Sequence, residues 1–234
     1  MFLGGNAVNL LITEVTEMQR DNYCVAGWCF DAKRMVRPLP NGDHWRALLL
    51  DKHAIAPGVT ISVTPQDKQL NNAYPHKTED AAVYKASIRL VSAAPVPWFS
   101  PNAPPAAATV HDAFEGRLRH TREWKGARSG VHVPAGAQSR SLWSVTISRQ
   151  SLSFKADTFD GGPEKLKAVF SDKEAQYCLA VTCRALKQAW RAGGLAAVSG
   201  ALPEQDMLHL RLGLARPYGH PPDKCYVMVN GIIG

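Results

Sequence analysis

A chain of 234 residues with 45% hydrophobic content can fill one large core or two small ones, which excludes disorder throughout. Its formal net charge of +7 favours a polyanionic partner, and the excess is uneven: residues 96–149 hold 7 Lys and Arg against 3 Asp and Glu, whereas 1–95 hold 10 against 9 and 150–234 hold 10 against 8. No apolar run approaches the roughly 20 residues that span a bilayer, so no membrane partner is expected.

The first strand is expected at 8–17, apolar at its start and alternating toward its end. A β-hairpin follows at 24–39: Cys24 to Phe30 is rich in strand formers, 31–34 is a polar turn, and the returning arm carries Arg37-Pro38. A proline has no N–H for a ladder, so this arm should be an edge strand or end at Arg37, leaving the guanidinium near a sheet margin. A short helix is expected within 44–53, a strand at 59–63 and an alternating strand at 84–90 with Lys85, Ser87 and Arg89 facing out. Five strands with a helix between the third and fourth are the inventory of a small OB-type Greek-key barrel.

Residues 93–105 carry Pro95, Pro97, Pro101, Pro104 and Pro105 and predict a domain boundary. One amphipathic helix is expected over 108–120 and a Gly, Pro and Ser-rich loop over 129–139. Strand patterns resume at 142–147, 152–155, 165–170 and 177–182, with a short helix at 185–192 ended by Gly193-Gly194. Leu208, Leu210, Leu212 and Leu214 alternate with His209, Arg211 and Gly213, the clearest period of two in the chain, and 225–233 supplies a last strand. The expected fold is therefore mainly β: a first OB-like barrel over 1–95, a Pro-rich basic connector over 96–140, and a second OB-like barrel over 141–234.

Several short stretches in this order resemble a family. Cys24-Val25-Ala26-Gly27, Val36-Arg37-Pro38, Thr78-Glu79-Asp80, Val181-Thr182, the 208–214 strand and the closing 225–233 strand together resemble the prokaryotic dual OB-containing domain. The turn after Thr182 departs from that pattern, reading Cys183-Arg184 in place of Asp-Pro. The resemblance implies two consecutive OB-like barrels and nucleic-acid binding within a prokaryotic assembly for defence or genome maintenance.

Two groups of residues are candidates for contact with DNA or RNA, single-stranded favoured. The first is Lys33, Arg34, Arg37 and Arg46; the alternative for Arg37 is an ion pair with Glu79 or Asp80. The second is Arg117, Arg119, Arg122, Trp124, Lys125 and Arg128, cations for phosphate around an indole for stacking, with Trp124 packed on a core as the alternative. Trp28, Trp45, Trp143 and Trp190 read as core residues; Trp98, amid prolines, is either exposed or covers a barrel end. Cys24 and Cys29, like Cys178 and Cys183, are five positions apart in strands, which sends each pair to opposite faces and predicts buried thiols rather than zinc ligands. Five cysteines, an odd number, and an amino terminus without a basic or long apolar region predict a cytoplasmic protein with reduced thiols. No phosphate loop, dinucleotide fingerprint or nucleophile with a paired base is present, so catalysis and a cofactor are not expected. Two alternatives remain: an adaptor that docks protein subunits, and a metal-dependent nuclease using His76, Glu79 and Asp80.

Overall fold

The computed structural model describes residues 6–68, 70, 73–93, 104–158, 162–217 and 222–234. The chain divides into two units, Met1–Pro104 and Pro105–Gly234, both dominated by strands. Trp98 and the proline-rich stretch where the boundary was expected lie outside the described residues, except Pro104 and Pro105.

In the first unit β1 (Val8–Glu17), β2 (Asn22–Cys29) and β3 (Arg34–Pro40) form an antiparallel meander that contains the expected hairpin. A Cβ at Gly27 would lie 2.8 Å from the Leu11 carbonyl oxygen, so β1 and β2 approach more closely there than any side chain permits. The Arg-Pro pair does not end β3. Up to Val36 the strand pairs with β2, and from Arg37 to Pro40 it pairs in parallel with a later strand. Arg37 and Asn41 donate their N–H groups to the Glu79 and Val83 carbonyls, with Pro38 and Pro40 at intervening positions.

The chain continues through β4 (Trp45–Arg46), α1 (Ala47–Lys52) and β5 (Thr60–Val63). Trp45 is fully buried and donates its indole N–H to the Pro38 carbonyl at 2.7 Å. Most of the strand expected at 84–90 is instead a turn, Lys85–Ser87, between β6 (Asp80–Val83) and β7 (Arg89–Ser92). Ser87 separates them: its hydroxyl donates to the Tyr84 carbonyl at 2.7 Å and accepts Thr64 N–H at 2.8 Å, so the side chain replaces ladder bonds and turns the backbone. β5 pairs with β1 and β7, and just beyond it Pro65 bridges Val83 in β6. The strand path β1-β2-β3-β6-β5-β1 therefore returns to its start, around Leu10, Ile12, Val25, Val36, Trp45, Ile61 and Val83.

Residues 105–140, expected as a connector, belong to the second unit. The helix expected over 108–120 is a single turn, α2 (Val110–Ala113), capped by Thr109, whose hydroxyl accepts Asp112 N–H at 3.0 Å. It stops where Glu115 and Gly116 take left-handed φ of 55° and 72°, after burying Val110, Ala113 and Phe114 in the second core. Before the expected loop over 129–139, β8 (Arg122–Trp124) pairs with β9 (Ala127–Ser129), and within it β10 (His132–Pro134) pairs with the last strand.

β11 (Leu142–Ser148) and β12 (Ser153–Asp157) are two halves of one run, broken by a turn at Arg149–Ser151. β13 (Lys165–Ser171) and β14 (Gln176–Val181) form a hairpin, and α3 (Arg184–Gly200) follows; the expected end at Gly193-Gly194, where Gly194 has φ 65°, is a kink beyond which the helix resumes. β15 (Met207–Leu214) and β16 (Lys224–Ile233) complete the unit. The pairing runs β12-β13-β14-β16-β15-β11, with β14 and β16 parallel, so this path also returns to its start. Leu208, Leu210, Leu212 and Leu214 all face the core, as their alternation requires.

Arg37 is the buried link at the β3 to β6 junction. It is 6% exposed, its guanidinium is ion-paired with Asp80, and its Nε donates to Cys24 Sγ at 3.1 Å. Burial works against the charge, but Cys24, Asp80 and Glu79 outweigh it and raise its pKa above the ordinary arginine value. Arg37→Ala removes the cation from an enclosed carboxylate, so we expect a loss of about 3–5 kcal/mol in denaturant unfolding. A loss below about 1 kcal/mol would contradict a structural role.

Candidate nucleic-acid interface

The first group of expected contact residues does not form a patch. Arg37 is buried in its ion pair and is withdrawn as a phosphate ligand. Lys33 is exposed in the β2–β3 turn at φ 47°, and Arg34 donates to the Thr78 carbonyl at 2.6 Å. Arg46 sits at the far end of β2, opposite Asn22, and donates to the Arg20 carbonyl at 3.2 Å. Arg34 pairs with Cys29, so the two arginines are separated by nearly the whole of β2, about 23 Å at the usual strand rise.

Apart from Arg117, which bonds back to Phe114 in the turn after α2, the second group lies on one long hairpin. Arg119 and His132 exchange backbone hydrogen bonds at 2.8 Å, Arg122 pairs with Ser129, and Trp124 pairs with Ala127 across a two-residue turn. Lys125 and Gly126 take φ of 46° and 82° there, the left-handed pair that matches strand twist. Arg117, Arg119, Arg122 and Lys125 are exposed, and Glu123 is the only carboxylate within 117–128. The second unit carries 17 Lys and Arg against 11 Asp and Glu, so nearly all of the chain's excess charge belongs to it.

Arg128 and Trp124 are engaged with the fold of the second unit. β9 pairs in parallel with β14 at Arg128 and Tyr177, which places both side chains on one face; the guanidinium carbon is 6.0 Å from the ring centroid. Tyr177 is buried in the core and stacks on Phe170, and burial together with Asp172 pushes its phenol up to about 12 against the pull of Arg128. Arg128 therefore belongs to the core side of the hairpin. Trp124 faces the other way and packs with Ala127 on Val169 and Cys178. Lys155 Nζ lies 3.3 Å from its ring centroid, so the ammonium covers one face of the half-buried indole.

The sequence reading missed the group that holds this clasp. Lys155 on β12 and Lys167 on β13 both donate to Asp157 Oδ2, at 3.0 and 2.9 Å, and their side chains are only 18% and 14% exposed. They occupy the alternate positions opposite Leu166, Ala168 and Phe170, a period of two that marks them as one outer face. Beneath Trp124, burial raises the pKa of the Cys178 thiol although Lys155 and Lys167 oppose it, so the thiol stays protonated.

The remaining candidates are structural. His76 and Glu79 are buried, Thr78 donates its hydroxyl to Glu79 at 2.8 Å, and Asp80 is held by Arg37, so the expected nuclease loop presents no open acid pair. Among the described residues no group of three His, Cys, Asp or Glu could hold a metal ion. All five cysteines are free thiols; Cys29, Cys178, Cys183 and Cys225 are buried and Cys24 is half-buried against Arg37. Trp28 and Trp45 are buried, and Trp143 and Trp190 pack on the second core. No helix among the described residues is long and apolar enough to cross a membrane.

No family model matches the chain, and no curated protein matches it. A crystal structure of the tetrameric p202 HIN2 aligns with 99% of this chain and 97% of its own, at 9% identity and a TM-score of 0.37, too distant a likeness to carry weight for fold or ligand.

The two ammonium groups, Lys167 before Lys155, hold the Asp157 carboxyl down to about 2. A depressed carboxyl contributes stability above its ordinary value near 4 and loses it as pH falls through about 2. Carbon-detected NMR titration should place the Asp157 midpoint near 2 and move it upward in Lys167→Gln; an ordinary midpoint in the parent protein would refute the clasp.

Proposed function

We propose that this protein binds single-stranded nucleic acid, without catalysis of its own, through the cationic hairpin of its second unit. The observation that carries this reading is the exposure of Arg119, Arg122 and Lys125 along one hairpin, pinned to the sheet by Trp124 under Lys155. A hairpin so anchored presents its cations without first having to order a loop, and phosphate contacts of this kind supply affinity for any sequence.

Both units support reading as OB-type barrels. In each, a meander of three strands, a helix and two further strand regions follow in that order, and the third strand pairs in parallel with a later one. The resemblance to the prokaryotic dual OB-containing domain agrees with this order, and a role within a prokaryotic defence or genome-maintenance assembly follows from that resemblance alone. The adaptor reading draws on Leu90 and Val91, exposed on β7, which lies at the end of its strand order.

The test is the salt dependence of binding to a labelled single-stranded oligonucleotide, as DNA and as RNA. Each phosphate neutralised contributes about −0.7 to the slope of log K against log salt. We expect Arg119→Gln/Arg122→Gln/Lys125→Gln to flatten that slope by about 2. No affinity at low salt would overturn the proposal and favour the adaptor.

A further inference from the structure

The first unit holds an open groove of about 380 Å3, lined by Asn41, Leu49, Lys52, His53, Tyr84 and Lys85. One wall is α1 and the residue after it; the other is the turn that follows β6, which replaced the expected strand. Asn41 ties that turn in place: at φ 52° it turns its side-chain oxygen to accept Lys85 N–H and Gln66 Nε2, both at 3.1 Å. Arg89 supports the same turn from below, donating to the Ala86 and Ile88 carbonyls at 2.6 and 2.8 Å. The groove's turn is thus fixed by hydrogen bonds from the Asn41, Gln66 and Arg89 side chains, most of them to its backbone.

Its chemistry is specific in two respects. Leu49 gives an apolar wall, and Tyr84, 52% exposed, presents an aromatic ring to solvent. Around them stand Lys52 and Lys85, with Lys68 held at the rim by its bond to the Asn41 carbonyl at 3.2 Å. Burial, then Lys52 and Arg89, lower the pKa of His53, so the groove's imidazole is neutral at pH 7 and its surroundings are cationic. A ligand that suits these features has a flat ring for the tyrosine and an anion for the lysines, and the volume fits a small molecule.

We infer that this groove seats a nucleotide, with its base on Tyr84 and its phosphate on Lys52 and Lys85. A free 5′-nucleotide and one residue of a strand share that chemistry. In the second case the inference rests on the nucleic-acid reading and adds a contact in the first unit.

The experiment titrates the full chain, Tyr84→Ala, Tyr84→Phe, Lys52→Gln/Lys85→Gln and Arg119→Gln/Arg122→Gln/Lys125→Gln with adenosine 5′-monophosphate and with a single-stranded oligonucleotide. Tyr84 NMR ring signals are followed in the full chain and in the two lysine and arginine variants. Stacking on one aromatic accounts for about tenfold or more in affinity, so Tyr84→Ala should lose that much, Tyr84→Phe should retain it, and the ring signals should shift on binding. Loss of oligonucleotide binding in the hairpin variant only, with the Tyr84 and lysine variants unchanged and the ring signals still, overturns the groove and leaves the hairpin reading intact. Tyr84-dependent binding of the mononucleotide without any oligonucleotide binding upholds the groove and overturns the strand reading. Binding of neither ligand overturns both. Tyr84→Phe and the lysine pair keep the question decidable if Tyr84→Ala is unstable.

Discussion

In both units one short parallel pairing converts a curled meander into a closed path. In the first it joins β3 to β6 over Arg37 to Pro40, and in the second it joins β14 to β16 at Ala180 and Val181. Parallel pairs are slightly weaker per residue than antiparallel ones, so a closure this short needs side-chain support. The first unit supplies Arg37 and Asp80. The second supplies Thr182, whose N–H donates to the Val229 carbonyl at 2.9 Å and whose hydroxyl meets Asn230 Oδ1 at 2.9 Å. Gly213 leaves room for Asn230, since a Cβ there would collide with its side chain.

Closure also decides which residues can meet a ligand. The inward side chains are committed to the cores, so contact chemistry is left to outer faces, turns and the additions around each path. The second unit's addition is the hairpin from Arg119 to His132, laid beside β14 and fastened through Trp124 to Val169 and Cys178. Lys155, Lys167 and Asp157 complete that fastening: two cations share one carboxylate, and one of them caps the indole. Such a cluster is half-buried and already satisfied, which suits it to holding the hairpin more than to meeting phosphate. The exposed cations of the hairpin are the proposed contact surface.

How much of this was legible depended on whether a residue's fate is set locally. The alternating leucines of β15 follow from their period and were read correctly, whereas Gly193-Gly194, read as the end of a helix, only interrupts α3, which resumes to Gly200. The 84–90 run looked like one strand because its pattern alternates; the hydroxyl of Ser87, bonded to Thr64 more than twenty residues away, broke it. The helix expected through 120 had suitable spacing, but Phe114 was claimed by the core and the backbone turned at Gly116. Arg37 was read with its correct alternative, the ion pair, because Asp80 lay in a recognisable stretch. The strand's change of partner, which buries it, has no local signal. Lys155 and Lys167 were overlooked because each looks like an ordinary outward lysine until β12, β13 and β8 are brought together.

The central claim is that the hairpin of the second unit carries the contact with a nucleic-acid strand. Amide chemical-shift mapping of the isotopically labelled full chain during titration with a single-stranded oligonucleotide tests it most directly. The account predicts shifts concentrated at Arg119 to Gly126, with the backbone of Arg37 and Asp80 unmoved. Shifts absent from that hairpin, while the strand is demonstrably bound, would contradict it.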